Sequence, residues 1–258
     1  MQWELLTAPK LARAREKAQG VAILPIGSLE KHSEHLPTGT DTLSVHKKAI
    51  EAARLEPAVV LPPLFYTYVI EAKNCIGAIS LKTELLLQVV ENICDEAARN
   101  GFKKIILYSG HGGNRFWLPL LMQHLADQGK DYAAYMLRLG PDERIKALRE
   151  SKVPEAHAGE LETSVALFLY PEACDMKALP KEPGQPQDVP KLPAYTPVDW
   201  YSRYPEQYAG DAQPATAEKG KKAFEYQVER LAQAIKEIKK DTFTLAKMKE
   251  LAQEMRQV

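Results

Sequence analysis

The sequence predicts an α/β fold with a mainly parallel sheet flanked by helices. Three observations carry that expectation. Short apolar runs that suit buried strands alternate with longer stretches of helical period. The strand candidates are almost continuously apolar, as in sheets covered on both faces. Polar clusters rich in His, Glu and Gly follow directly after strand candidates, where open α/β sheets place their sites. The 258 residues are expected to form a single domain, 1–258.

The elements follow in order. Val21–Ile26 reads as a buried strand ended by Gly27. Residues 41–55 form a helix that Asp41 is placed to cap, with Ala49, Ile50 and Ala53 on its apolar stripe. Residues 58–61 make a second strand, stopped by Pro62 and Pro63. An amphipathic helix covers about 82–99. Residues 104–108 form a strand entering Ser109-Gly-His-Gly-Gly-Asn114, and a helix follows to about Gln128. The strand 132–137 comes next, then a helix from near Glu160 to Pro171. The segment 171–214 holds nine of the 18 prolines. Its Tyr and Trp content is too high for disorder, so it is expected to be an ordered, irregular excursion. Helices at 216–239 and from Asp241 to Val258 close the chain.

Composition excludes several classes of partner. Lys plus Arg and Asp plus Glu both number 34, and no basic stripe interrupts that balance, which argues against nucleic acid. No apolar run approaches the roughly 20 residues a membrane span needs, and the N-terminal stretch lacks a signal-peptide core. Cys75, Cys94 and Cys174 are odd in number and far apart, as expected of reduced thiols in a cytoplasmic protein.

The chemistry concentrates in three clusters. In the first, Glu30 and His32 are two residues apart and share a side if the loop is extended, with Asp41 able to fold back towards them. Carboxylate and imidazole suit Zn, Mn or Fe(II), although the spacing suits a solvated polar loop equally. In the second, glycines flank His111 and let backbone approach a ligand, while Asn114 is placed to cap the next helix. The third is His157-Ala-Gly-Glu160-Leu-Glu162 at a helix start. Glu160 and Glu162 face different sides of that helix, so one of them can readily face a site; an acid-rich N-terminus without function also fits. Together the clusters supply the donors of a two-metal hydrolase.

These residues resemble the creatininase (creatinine amidohydrolase) family. Pro25–Asp41 is similar to its PxGSxEQHGPHLPxxTD signature, Ser109–Asn114 to its NGHGGN, and His157–Ser164 to its HAGxxETS. Gly210-Asp211 with Ala215–Gly220 resembles a later segment. The resemblance implies a three-layer α/β fold and two divalent metal ions, Zn with Zn, Mn or Fe. It implies that Glu30, Asp41 and His111 hold one ion, and that His32, Asp41 and an acid hold the other, with Asp41 bridging. In creatininase that acid lies two residues after the His of the second motif, where this chain has Gly113; Glu162 is the expected substitute, with Glu160 the other candidate. A water between the ions would be the nucleophile. His157, with Glu162, would be catalytic, His157 protonating the leaving nitrogen or polarising the carbonyl.

Departures bear on the substrate. Lys31, Ser33 and Glu34 replace the usual Gln, Gly and Pro and are expected to crowd the site. Creatininase closes its site with tryptophans just before the third motif, and residues 130–156 contain none. The expected activity is therefore hydrolysis of a cyclic or linear amide of a small polar molecule other than creatinine. The alternatives are ring opening of a cyclic keto-sugar (inosose-type) and a non-catalytic family member. Family members are often hexamers, so a homo-oligomer is expected, with the C-terminal helices and residues 195–208 at subunit contacts.

Overall fold

A computed structural model describes residues 1–255 and 257. It contains α1 (Ala8–Lys17), β1 (Val21–Ile26), α2 (Thr40–Leu55), β2 (Val59–Val60), α3 (Thr83–Arg99), β3 (Lys104–Ser109), α4 (Leu118–Asp127), β4 (Ala133–Met136), α5 (Glu143–Lys146), α6 (Glu160–Leu169), α7 (Asp199–Arg203), α8 (Ala217–Lys240) and α9 (Phe243–Met255). The strands form one parallel sheet in the order β2-β1-β3-β4. The final helix stops at Met255; the rest of its expected span includes Arg256 and Val258, which lie outside the described residues.

Alternation along the strands sorts the core into two layers. Ala22, Leu24, Ile26, Ile105 and Leu107 pack with Leu86, Val90 and Cys94 of α3 and Leu118, Leu121 and Leu125 of α4. Val21, Ile23 and Ile106 pack on the opposite face with Ala49, Ile50 and Ala53 of α2 and Phe224, Val228, Leu231 and Ile235 of α8. A period of two in the strands and of 3.6 in the helices makes both layers possible. Helix α8 starts on Thr216, whose side chain accepts from Lys219 N–H. It lies so close to α6 that a Cβ on Gly220 would sit 1.8 Å from Ser164 O, so glycine is what permits the contact.

The expected α/β architecture is the observed one. Helix α1, whose short stripe rests on Ala14, was not among the expected elements. Asp41 does not cap α2: Gly39 is the N-cap and Asp41 sits inside the first turn. Asn114 caps nothing either, since it lies within a short 3₁₀ turn, Gly112–Arg115, and α4 starts after Trp117. Its amide donates to Ser109 Oγ and accepts from Trp117 Nε1, tying the second motif to β3. The 171–214 segment contains α7 and a pairing of Gly184 with Gly210. No described helix is long and apolar enough to cross a membrane.

Candidate metal centre

The sheet register brings the clusters together. Ile26 pairs with Ser109 at the carboxyl ends of β1 and β3, so the loops carrying Glu30 and His111 leave side by side. The third cluster arrives from α6, whose first turn is capped by the Glu155 carboxylate accepting from Leu161 and Glu162 N–H.

Asp41 is the middle of the arrangement. Its Oδ1 lies 3.2 Å from His32 Nε2 and its Oδ2 lies 3.1 Å from His111 Nδ1. Ser28 Oγ donates to the same Oδ2 at 2.6 Å. Glu30 Oε1 is 2.9 Å from His111 Nδ1, 3.1 Å from His157 Nε2 and 3.9 Å from His32 Nε2. Glu162 Oε1 is 3.7 Å from His32 Nε2, and its Oε2 accepts from Ala158 N–H. Glu160 turns elsewhere, to Lys219 Nζ and the N–H groups of Glu150 and Ser151. The residues expected from sequence therefore meet: Glu30, His32, Asp41, His111, His157 and Glu162 converge, and Glu160 stays outside.

Hydrogen bonds orient the rings. His32 Nδ1 faces Glu30 O at 3.2 Å, and a carbonyl only accepts, so Nδ1 carries a hydrogen and Nε2 is the nitrogen turned to Asp41. His157 Nδ1 donates to Gln207 O at 2.8 Å, which turns Nε2 to Glu30. The His32 and His157 rings stack with centroids 4.2 Å apart.

The charge balance is unusual for a buried site. Glu30, His32, Asp41 and His111 are all buried. Among the described residues, no Lys or Arg reaches ion-pair distance of Glu30, Asp41 or Glu162; their partners are histidines alone. Burial raises the Glu30 carboxyl, but the His111 and His157 charges override it and hold it at about 2. Burial lowers His32, but Asp41 and Glu162 push it to about 10. Asp41 is likewise held low and His111 high, each by charged partners that overcome burial. Acceptor-only carboxylates and imidazole nitrogens aimed at shared points are a donor set that fits divalent cations. Among the described residues, three groupings lie close enough to share an ion: His32 with Asp41 and Glu162, Glu30 with His111 and Glu71, and Glu30 with His32 and His157.

Three residues of the site were missed from sequence. Glu71 Oε1 lies 3.2 Å from His111 Nε2. Gln207, buried at φ +52°, accepts from His157 and from Ser33 N–H on its carbonyl. Its side chain accepts from Trp200 Nε1 and donates to Glu71 O. Trp200 meets His157 edge-on at 6.0 Å. Aromatic content in 195–208 was the available signal for Trp200; nothing local marked the other two. Of the residues expected to crowd the site, Lys31 pairs with Glu34 and Glu206, and Ser33 is buried at φ +56° with its N–H on Gln207 O.

Fold and cluster together describe an α/β protein with a candidate two-ion centre at the carboxyl edge of its sheet. The chain belongs to the creatininase family, described as creatinine amidohydrolase, whose model matches residues 4–235. It is 28% identical to 3-dehydro-scyllo-inosose hydrolase of Thermotoga maritima, over 89% of this chain and 81% of that one. It is 29% identical to creatinine amidohydrolase of Pseudomonas putida, over 84% and 89%. A crystal structure of creatininase superposes with a TM-score of 0.79 at 26% identity, covering 93% of this chain and 98% of that one. Other solved creatininases include a mutant of Zn–Zn type and a Mn form.

Proposed function

We propose that this chain is a divalent-metal-dependent hydrolase that cleaves a cyclic or linear amide of a small polar molecule. One observation carries the reading: Asp41 offers one carboxylate oxygen to each of two histidines, each of which has a second acid at hand. Glu30, Asp41 and His111 would hold one ion; His32, Asp41 and Glu162 the other. Ions bound there would lower the pKa of a water and polarise the substrate carbonyl. The Zn–Zn and Mn forms of solved relatives favour zinc or manganese here.

The chain's own residues do the rest. His157 is pinned through Nδ1, so Nε2 is the atom that hands a proton to the leaving nitrogen. Trp200 shields that ring from one edge. A cavity of about 430 Å³ borders Asp41 and Glu162 and is lined by Ser44, Lys48, Ser109 and Arg230, which suits a small polar substrate.

The relative from T. maritima favours a second reading, ring opening of an inosose-type ketone. Metal content and turnover of lactams, formamides and inosose-type ketones, measured on one sample, separate the readings. Ketone turnover without amide turnover selects the second, and full activity without metal sinks both. Empty sites and no turnover after metal-replete purification would leave a non-catalytic family member. A homo-oligomer in the cytoplasm belongs to the same proposal; exposed Ile76, Leu192 and Tyr195 supply apolar surface for self-association, and a monomer in light scattering would end that part.

A further inference from the structure

His111 uses its two ring nitrogens differently. Nδ1 faces Glu30 and Asp41 at 2.9 and 3.1 Å, so an ion held by those acids meets that nitrogen. Nε2 points away, is buried, and makes no hydrogen bond of good geometry. With the Nδ1 lone pair on a metal, the ring hydrogen sits on Nε2, and the nearby carboxylate, 3.2 Å away, is Glu71.

Space for Glu71 exists because residue 113 is glycine. A Cβ there would stand 2.3 Å from Glu71 Oε1 and 2.3 Å from His111 Nε2. The segment that delivers Glu71, between β2 and α3, is fastened by the Gln207 amide, which donates to Glu71 O at 2.9 Å. A buried imidazole with one nitrogen among acids and the other on a tethered carboxylate is the arrangement that fixes ring orientation and raises ligand basicity.

We infer that Glu71 is a positioning residue for His111: a small rotation of its carboxylate accepts Nε2–H, and it brings to the second motif, from a distant loop, an acid for which Gly113 leaves room. The inference rests on the metal-centre reading above. The test titrates metal-stripped wild type, Glu71→Gln and Glu71→Ala with Zn(II) against a chromogenic chelator, with thermal melts alongside. Wild type takes two ions. Glu71→Ala keeps one at wild-type affinity and binds the other about 10–100-fold more weakly. Glu71→Gln, whose side-chain oxygen still accepts, falls between. Gly113→Ala provides a variant that leaves the Glu71 loop intact; its methyl presses on the carboxylate and the ring, and the same ion weakens. Two ions at wild-type affinity in every variant overturn the role of Glu71 while leaving the metal centre standing. A wild type that takes no ion fails the metal-centre reading itself, and Glu71 with it.

Discussion

On one side of Asp41, Glu30 and His111 are sealed, with side chains 2% and 3% exposed, and Glu71 stands at the far edge of the ring. On the other side His32 is equally buried, yet its acid partner Glu162 is 30% exposed and borders the cavity between α2, α6 and α8. A closed ligand set suits an ion held in place, and an open one leaves a position for water or substrate. On the proposed two-ion reading, Glu30 and His111 would hold their ion closed in, and His32 and Glu162 would leave theirs accessible.

The largest effect should come from Asp41, which serves both sides. Asp41→Asn is expected to lose both ions and to lower turnover roughly 10³-fold or more, the scale of several kcal/mol. Metal analysis of the folded variant checks this, and retention of two ions would remove Asp41 as the bridge.

The open side also depends on a tie behind it. His35 Nε2 is 2.9 Å from Thr163 Oγ1, and that hydroxyl donates onward to Ala158 O. The hydroxyl therefore accepts from Nε2–H, and His35 Nδ1 is left buried without a partner. Burial, aided by the His32 charge, lowers His35 to about 4. The unfolded imidazole titrates near about 6.5. Between those values the unfolded chain binds a proton that the folded chain refuses. Stability is thus full above the unfolded pKa and falls as pH drops towards the folded one, by up to about 3 kcal/mol. Urea unfolding of wild type and His35→Gln across that window should show the slope in the first and a flatter line in the second; parallel lines would place the acid sensitivity elsewhere.

Glu162→Gln sharpens the contrast. It should weaken only the ion on the open side, by about 10-fold or more, while the ion at Glu30 and His111 stays tight. Equal weakening of both ions, read by chelator competition, would mean the two sides are one unit. The smallest effect belongs to Ser33, whose φ of +56° is disfavoured for a residue with Cβ and whose Oγ is buried without a partner. Ser33→Gly should stabilise the fold by up to about 1 kcal/mol, glycine's extra freedom in the unfolded chain offsetting part of the gain. A lower melting temperature for that variant would show that the hydroxyl contributes something the contacts do not reveal.

The alternation of strands and helices is legible in the sequence, because apolar spacing of two or 3.6 is a local property that burial then rewards. The sequence also pointed to most of the residues that converge, Glu30, His32, Asp41, His111, His157 and Glu162, because they sit in short polar clusters at strand and helix ends. It misread Asp41 and Asn114 as helix caps, since a polar residue near a helix start looks alike whether its side chain serves the backbone or a site. Tertiary contacts alone reveal that Asp41 faces two ways, that Glu160 goes to Lys219, and that Glu71, Gln207 and Trp200 stand beside the cluster. Each of those rests on contacts between segments far apart in the chain, made when the sheet register and the 171–214 excursion bring loops together, and no local pattern records such a meeting.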